Sequence, residues 1–174
     1  MKPELFNIKA RELIIDYVDE HLDKSVRIPL FDVFIIWSCS ILDNNKAMLS
    51  TTLPDRMYYE IVYNSATRKI CLDAYKKKKN KVILQNAKIG GMESFISKCK
   101  YEIQEHLMNE VDLFADIEIC TLWSCKTLQN YKAIFAVFGI VEPMYFEITY
   151  NGDKSEAYFD AYKKFESTSV LIED

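Results

Sequence analysis

Glycine and proline are scarce in this chain, at four residues each in 174. That scarcity argues against long disordered linkers, whose composition draws on both. Long apolar runs are missing as well. Residues 33–37 and 134–139 are among the longest, far below the roughly 20 residues a membrane-spanning helix needs. The opening Met1-Lys2-Pro3-Glu4 has neither the positive region nor the apolar stretch of a signal peptide. The expected location is therefore the cytoplasm, with no membrane partner. Cysteine is present but unpatterned: five residues, an odd count, with no CxxC spacing. Without export a disulfide framework is not expected. Cys39 and Cys125 sit in strand-like apolar runs and read as buried, reduced thiols. No phosphate-cradling glycine loop, zinc spacing, nucleophile elbow or Ser/His/Asp constellation occurs. These gaps set the expectation of a protein that is not an enzyme and holds no cofactor and no metal.

What is present is ordinary in bulk and unusual in arrangement. An apolar share of 49% with 28% charged residues fits a soluble globular chain, long enough to bury one medium core or two small ones. The net charge of −4 offers no basic face for direct nucleic-acid binding. That charge is unevenly divided: residues 1–87 hold 14 Lys and Arg against 11 Asp and Glu, a balance of +3, whereas residues 88–174 hold 8 against 15, a balance of −7.

The division matters because the two stretches are copies of one another. Trp37-Ser38-Cys39 recurs as Trp123-Ser124-Cys125, followed by Leu42 or Leu128, Asn44 or Asn130, and Lys46-Ala47 or Lys132-Ala133. Met57-Tyr58-Tyr59-Glu60-Ile61 recurs as Met144-Tyr145-Phe146-Glu147-Ile148, and Asp73-Ala74-Tyr75-Lys76-Lys77 as Asp160-Ala161-Tyr162-Lys163-Lys164. Glu20-His21-Leu22 matches Glu105-His106-Leu107, which puts the two histidines at equivalent points. Each copy opens with a helical stripe, Ile14-Val18-Leu22 or Ile96-Cys99-Ile103-Leu107. Alternation of period two follows, in Val33-Ile35-Trp37-Cys39 and Ile117-Ile119-Thr121-Trp123-Cys125 and again in Met57-Tyr59-Ile61-Tyr63 and Met144-Phe146-Ile148-Tyr150. Gly90-Gly91 marks the boundary. The expected fold class is α+β: two tandem repeats, 1–87 and 88–174, each an N-terminal helix packed on an antiparallel sheet of about four strands.

Asn151-Gly152-Asp153-Lys154 reads as a hairpin turn, glycine supplying the positive φ. Placing Gly152-Asp153 centrally sets Ile148 opposite Ala157, Phe146 opposite Phe159, Ile61 opposite Ile70 and Tyr58 opposite Asp73. The competing register opposes Glu147 and Glu156, and like charges directly across a sheet are unfavourable. One face then carries Met57, Tyr59, Ile61, Ile70 and Leu72 and should lie under the helix. The other carries Tyr58, Glu60, Val62, Cys71 and Asp73, or Tyr145, Glu147, Thr149, Tyr158 and Asp160, and is half aromatic and half acidic.

The stretches Trp123-Ser124-Cys125-Lys126-Thr127-Leu128-Gln129-Asn130, Met144 through the Tyr150-Asn151-Gly152-Asp153-Lys154 turn, and Asp160-Ala161-Tyr162-Lys163-Lys164 resemble a family of small uncharacterised proteins from phages and prophages of Gram-positive bacteria. Typical members look like one copy, so the resemblance spans nearly the whole chain. The first copy departs at Ser65-Ala66-Thr67, where the Asn-Gly-Asp-Lys turn is lost. The resemblance implies a phage origin and carries no activity or catalytic residues. Small phage proteins of this kind often block host defences or redirect host enzymes.

The leading expectation is a non-enzymatic phage protein that binds a host protein and inhibits a defence or metabolic system. Its partner-binding residues would be Tyr58, Glu60, Asp73, Tyr145, Glu147, Tyr158 and Asp160, whose acidic character suits a basic target such as a nucleic-acid enzyme. The plainer reading of that face is an interface between the two copies. Two alternatives stand beside the leading one: a binder of small nucleotide signals, and a metal-dependent hydrolase built on the repeated carboxylates. Trp37 and Trp123 read as core rather than stacking groups, and His21 and His106 as helix-end residues favoured by the macrodipole. Lys76-Lys77-Lys78-Lys79 with Lys81 reads as a solvated strand end rather than a phosphate contact. The assembly expected is a pseudo-dimeric monomer or a homodimer.

Overall fold

A computed structural model describes residues 1–21, 30–110, 117–140 and 142–171; Leu22 of the first helical stripe lies outside them. The element order runs α1 (Pro3–His21), β1 (Val33–Ile41), β2 (Asn44–Thr51), β3 (Tyr58–Asn64), β4 (Lys69–Ile83), then α2 (Met92–Glu110), β5 (Glu118–Thr127), β6 (Asn130–Phe138), β7 (Met144–Asn151) and β8 (Glu156–Leu171). None of the described helices is long and apolar enough to cross a membrane.

The eight strands belong to one sheet, ordered β1-β2-β3-β4-β8-β7-β6-β5. This overturns the expected pair of four-stranded sheets: the chain is mostly sheet, with two helices among the described residues. The cause is strand length. β3 pairs antiparallel with residues 69–75 of β4, leaving 76–83 without a hairpin partner. Likewise β7 pairs with 156–163 of β8 and leaves 164–171 over. At 15 and 16 residues, β4 and β8 outrun their hairpins and become neighbours of each other.

Two compact units result, Met1–Lys76 with Lys164–Asp174, and Lys77–Lys163. Each therefore contains one helix, three whole strands and part of both β4 and β8. In the first unit Asp73 meets Lys164 and Ser167, and Lys76 lies over the Phe165 ring. In the second, Lys77 meets Tyr162, Asn80 meets Asp160 and Lys81 meets Phe159. Numbers rise along one strand as they fall along the other, the mark of antiparallel neighbours.

Inside the first unit α1 begins with Pro3 in its first turn, where the missing N–H costs nothing. It buries Phe6, Ala10, Ile14, Tyr17 and Val18 against Ala47, Leu49, Tyr59, Ile61, Ile70 and Leu72. Inside the second, Phe95, Cys99, Ile103 and Leu107 of α2 pack on Phe135, Phe146, Ile148 and Phe159. Ile96 is only partly buried there. Both helices cover the face that strand alternation assigns to them.

The hairpin register differs from the expected one by two residues. Ile148 faces Phe159, Tyr150 faces Ala157, Ile61 faces Leu72 and Tyr58 faces Tyr75. A shift of two preserves which residues share a face. The reason is a four-residue loop, 65–68 or 152–155, in place of a two-residue turn.

That loop is the same in both copies, so the turn is not lost in the first. Asn64 Oδ1 accepts from the N–H groups of Ala66 and Thr67, at 3.0 and 3.2 Å, and Asn151 Oδ1 accepts from those of Asp153 and Lys154 at the same distances. Asn44 and Asn130 accept from Ser65 and Gly152 N–H. The left-handed residue closing each loop is Arg68 or Ser155, not Gly152. Glycine stands at 152 because a Cβ there would collide with Gln129.

Candidate functional site

Directly paired residues share a face, so the registers define rows across each unit. The central rows are Trp37–Met48–Glu60–Asp73 and Trp123–Ile134–Glu147–Asp160. Both tryptophans reach this face through a bulge, between Ile35 and Trp37 and between Thr121 and Trp123. The extra residue breaks the period-two pattern read from the sequence. Val33 and Ile35 stay under α1, while Trp37 moves to the opposite face, half-buried beside the carboxylates.

All seven residues singled out from the sequence stand on this face. Tyr58, Glu60, Tyr145, Glu147 and Asp160 are buried; Asp73 and Tyr158 are half-buried. The two carboxylates of each copy lie directly opposite one another, Glu60 to Asp73 and Glu147 to Asp160. Lysines neutralise every one. Lys46 stands 3.1 Å from Glu60 and Lys132 3.0 Å from Glu147. Lys164 of β8 pairs with Asp73, and Lys77 of β4 with Asp160. The second oxygen of Asp73 accepts from Ser167, and that of Asp160 from Asn80. Burial pushes the Glu60 carboxyl above its usual range, against the opposing pull of Lys46. Burial also lowers the Lys132 ammonium. Tyr158 donates its hydroxyl hydrogen to Glu156.

These oxygens hold the sheet, and the aspartates have no free one to offer a substrate. Among the described residues no group of three or more His, Cys, Asp or Glu is placed to hold a metal. The histidines diverge. His106 is buried edge-on against Phe146 and Phe159. His21 ends α1 exposed, stacks on Tyr17, donates from Nδ1 to the Tyr17 carbonyl at 2.8 Å and sets Nε2 3.1 Å from Glu166. All five thiols are free, and only Cys99 is buried. Cys39 is exposed and Cys125 half-buried, against expectation, because the bulge carries them off the helix-covered face. The lysine run lies within β4, where Lys77 pairs with Asp160 and Lys76 and Lys81 cover aromatic rings.

Two features escaped the sequence reading. Hairpins β1–β2 and β5–β6 close on two residues, Leu42-Asp43 and Leu128-Gln129. Leu42 and Leu128 take positive φ, 49° and 56°, while 89% and 79% exposed. The repeated leucine after each Trp-Ser-Cys was visible, but nothing marked it as a hairpin tip. Second, a cleft in the second unit is lined by Lys88, Lys126, Leu128, Tyr131 and Tyr150 among others. Its residues come from three separate segments, which no spacing rule connects.

These features define an internally duplicated, sheet-dominated protein with mirrored lysine–carboxylate networks and leucine-tipped hairpins. A model of a family of unknown function (DUF6275) matches the chain twice, over residues 7–85 and 96–172; the chain belongs to that family, as a tandem duplication of it. No curated protein and no solved structure shows significant similarity to it.

Proposed function

We propose that the chain is a phage-encoded, non-enzymatic protein that binds a host protein through its leucine-tipped hairpins and thereby inhibits a defence or metabolic system. The observation that carries this reading is the pair Leu42 and Leu128. A leucine in the left-handed region costs about 1–2 kcal/mol, and its exposed side chain recovers nothing by burial. Asparagine or glycine is the residue such a turn favours. Both copies nevertheless keep leucine there, which a partner with an apolar pocket explains. The acidic balance of residues 88–174 favours a basic partner by steering its approach. Carboxylates already committed to lysines support this reading over the hydrolase.

The test is affinity capture from Gram-positive host lysate with the intact chain and with the double variant Leu42→Asn/Leu128→Asn. Asparagine tolerates the backbone, so the variant should be at least as stable, by up to about 1 kcal/mol per site, yet retain none of the partner. Equal capture by both chains would overturn the proposal.

A further inference from the structure

The geometry points to a second binding function, sharing only Leu128 with the surface proposed for the protein partner: the cleft of the second unit takes a small organic anion, a phosphate or carboxylate carried on a flat ring. The cleft is open to solvent on one side and measures about 620 Å³, a volume within the range of about 300–1,000 Å³ that small-molecule sites occupy. Its walls are Ile89 and the exposed Leu128, with the largely buried Tyr131 and Tyr150 beneath; its cations are Lys88 and Lys126. No carboxylate lines it, although residues 88–174 carry nearly two acids for each base, 15 against 8. The neighbouring Asp153 is occupied by the Gln129 carboxamide.

The cleft is a built feature. The segment after β4 is pinned from two sides: Ala87 N–H donates to the Ser155 carbonyl at 3.2 Å, and the Tyr150 hydroxyl donates to the Ala87 carbonyl at 2.7 Å. Gly152 N–H donates to Asn130 Oδ1 at 2.9 Å, which holds the β7–β8 loop beside the β5–β6 hairpin. Lys126 Nζ sits 5.2 Å from the Tyr131 ring centre. That cation–π contact steadies the ammonium and leaves its protons for an anion.

Comparison with the first copy sharpens the assignment. Where the second unit has Lys126 and Tyr131, the first has Ser40 and Asn45. Those two hydrogen-bond to each other, and Asn45 Nδ2 also donates to the Met1 carbonyl at 3.0 Å. The copies differ at both positions: the first has a polar clasp on the Met1 carbonyl, the second a cation on an aromatic ring beside an open cleft. Lysines supply the charge complement of an anion, and the apolar and tyrosine walls suit a ring.

Titrate the full-length chain, followed by ¹H–¹⁵N NMR, with adenosine monophosphate, with benzoate and with inorganic phosphate. Saturable shifts at Lys88, Lys126 and Gly152 are expected for a ring-bearing anion, and whether the nucleotide or the benzoate is tighter identifies the source. Inorganic phosphate should bind roughly tenfold more weakly, and Lys126→Gln should weaken the ring-bearing anion roughly tenfold. Lys88 and Lys126 are exposed, so Lys88→Gln/Lys126→Gln should keep the dispersed spectrum while losing the shifts. No saturable shift at millimolar probe, or shifts indifferent to both lysines, would overturn the site. Phosphate binding as tightly as the nucleotide would overturn the ring. Leu128→Asn belongs to both proposals, whereas the lysine variants report on the cleft alone.

Discussion

A buried glutamate facing an aspartate across two strands is a poor arrangement in isolation, and Glu60 shows what makes it tolerable. Lys46 lies 3.1 Å away on one side and Lys164 reaches Asp73 on the other. Burial still outweighs these lysines and holds the Glu60 pKa above the usual 4.5. The folded state therefore binds this proton more tightly than the unfolded state does. Its contribution is fully present below 4.5 and is lost as pH rises through the elevated pKa. Glu60→Gln should remove that loss. In urea titrations across this range, the variant should gain on the wild type as pH rises toward neutrality, the difference vanishing at acid pH. Parallel pH profiles would mean that Lys46 cancels the burial cost. The expected register missed this glutamate–aspartate opposition because it assumed a two-residue turn, whereas a four-residue loop sets Glu60 opposite Asp73 and Glu147 opposite Asp160. Sequence alone does not show that each of these carboxylates has its own lysine. The face assignment survived because alternation depends on parity, which a two-residue shift leaves intact.

At the scale of the element, the decisive strands are β4 and β8. Helices and the central strands were legible because their patterns are local: α1 and α2 by apolar stripes, β3 and β7 by alternation. The continuation of β4 through Lys76-Lys77-Lys78-Lys79 was not, because a lysine run resembles a solvated end. Alternate lysines in fact point to different surroundings, with Lys77 half-buried on Asp160 and Lys76 and Lys78 exposed. The candidate face could be read from the sequence but the ion pairs of its aspartates could not, since Lys77–Asp160 and Lys164–Asp73 each join residues of different copies. A chain ending after Lys163 tests the shared strand. Asp73 would lose Lys164 and Ser167, and residues 69–76 of β4 would lose a neighbour, so denaturant titration should show at least about 2 kcal/mol less stability. Ser167→Ala alone should cost no more than about 1 kcal/mol. Unchanged stability of the shortened chain would show the first unit to be complete without that strand.

For the whole molecule, sharing β4 and β8 predicts cooperativity. Each unit owns part of both strands, so neither can release its share without fraying the other's. Calorimetry should record one transition, its van't Hoff enthalpy equal to the calorimetric one; two resolved transitions would show that the copies hold their strands independently. The sharing also reaches back to the moment the chain is made. A ribosome ordinarily lets an N-terminal domain finish before the next emerges, but here the first unit waits for 164–171, which are made only after β5, β6 and β7 of the second copy. Until β8 is made, the edge of β4 that it covers is bare, the kind that recruits other nascent chains, and lysine is the residue that keeps such edges apart. The run Lys76-Lys77-Lys78-Lys79 with Lys81 thus gains a second role in time: before it pairs, its charge guards the unfinished sheet against its neighbours on the polysome.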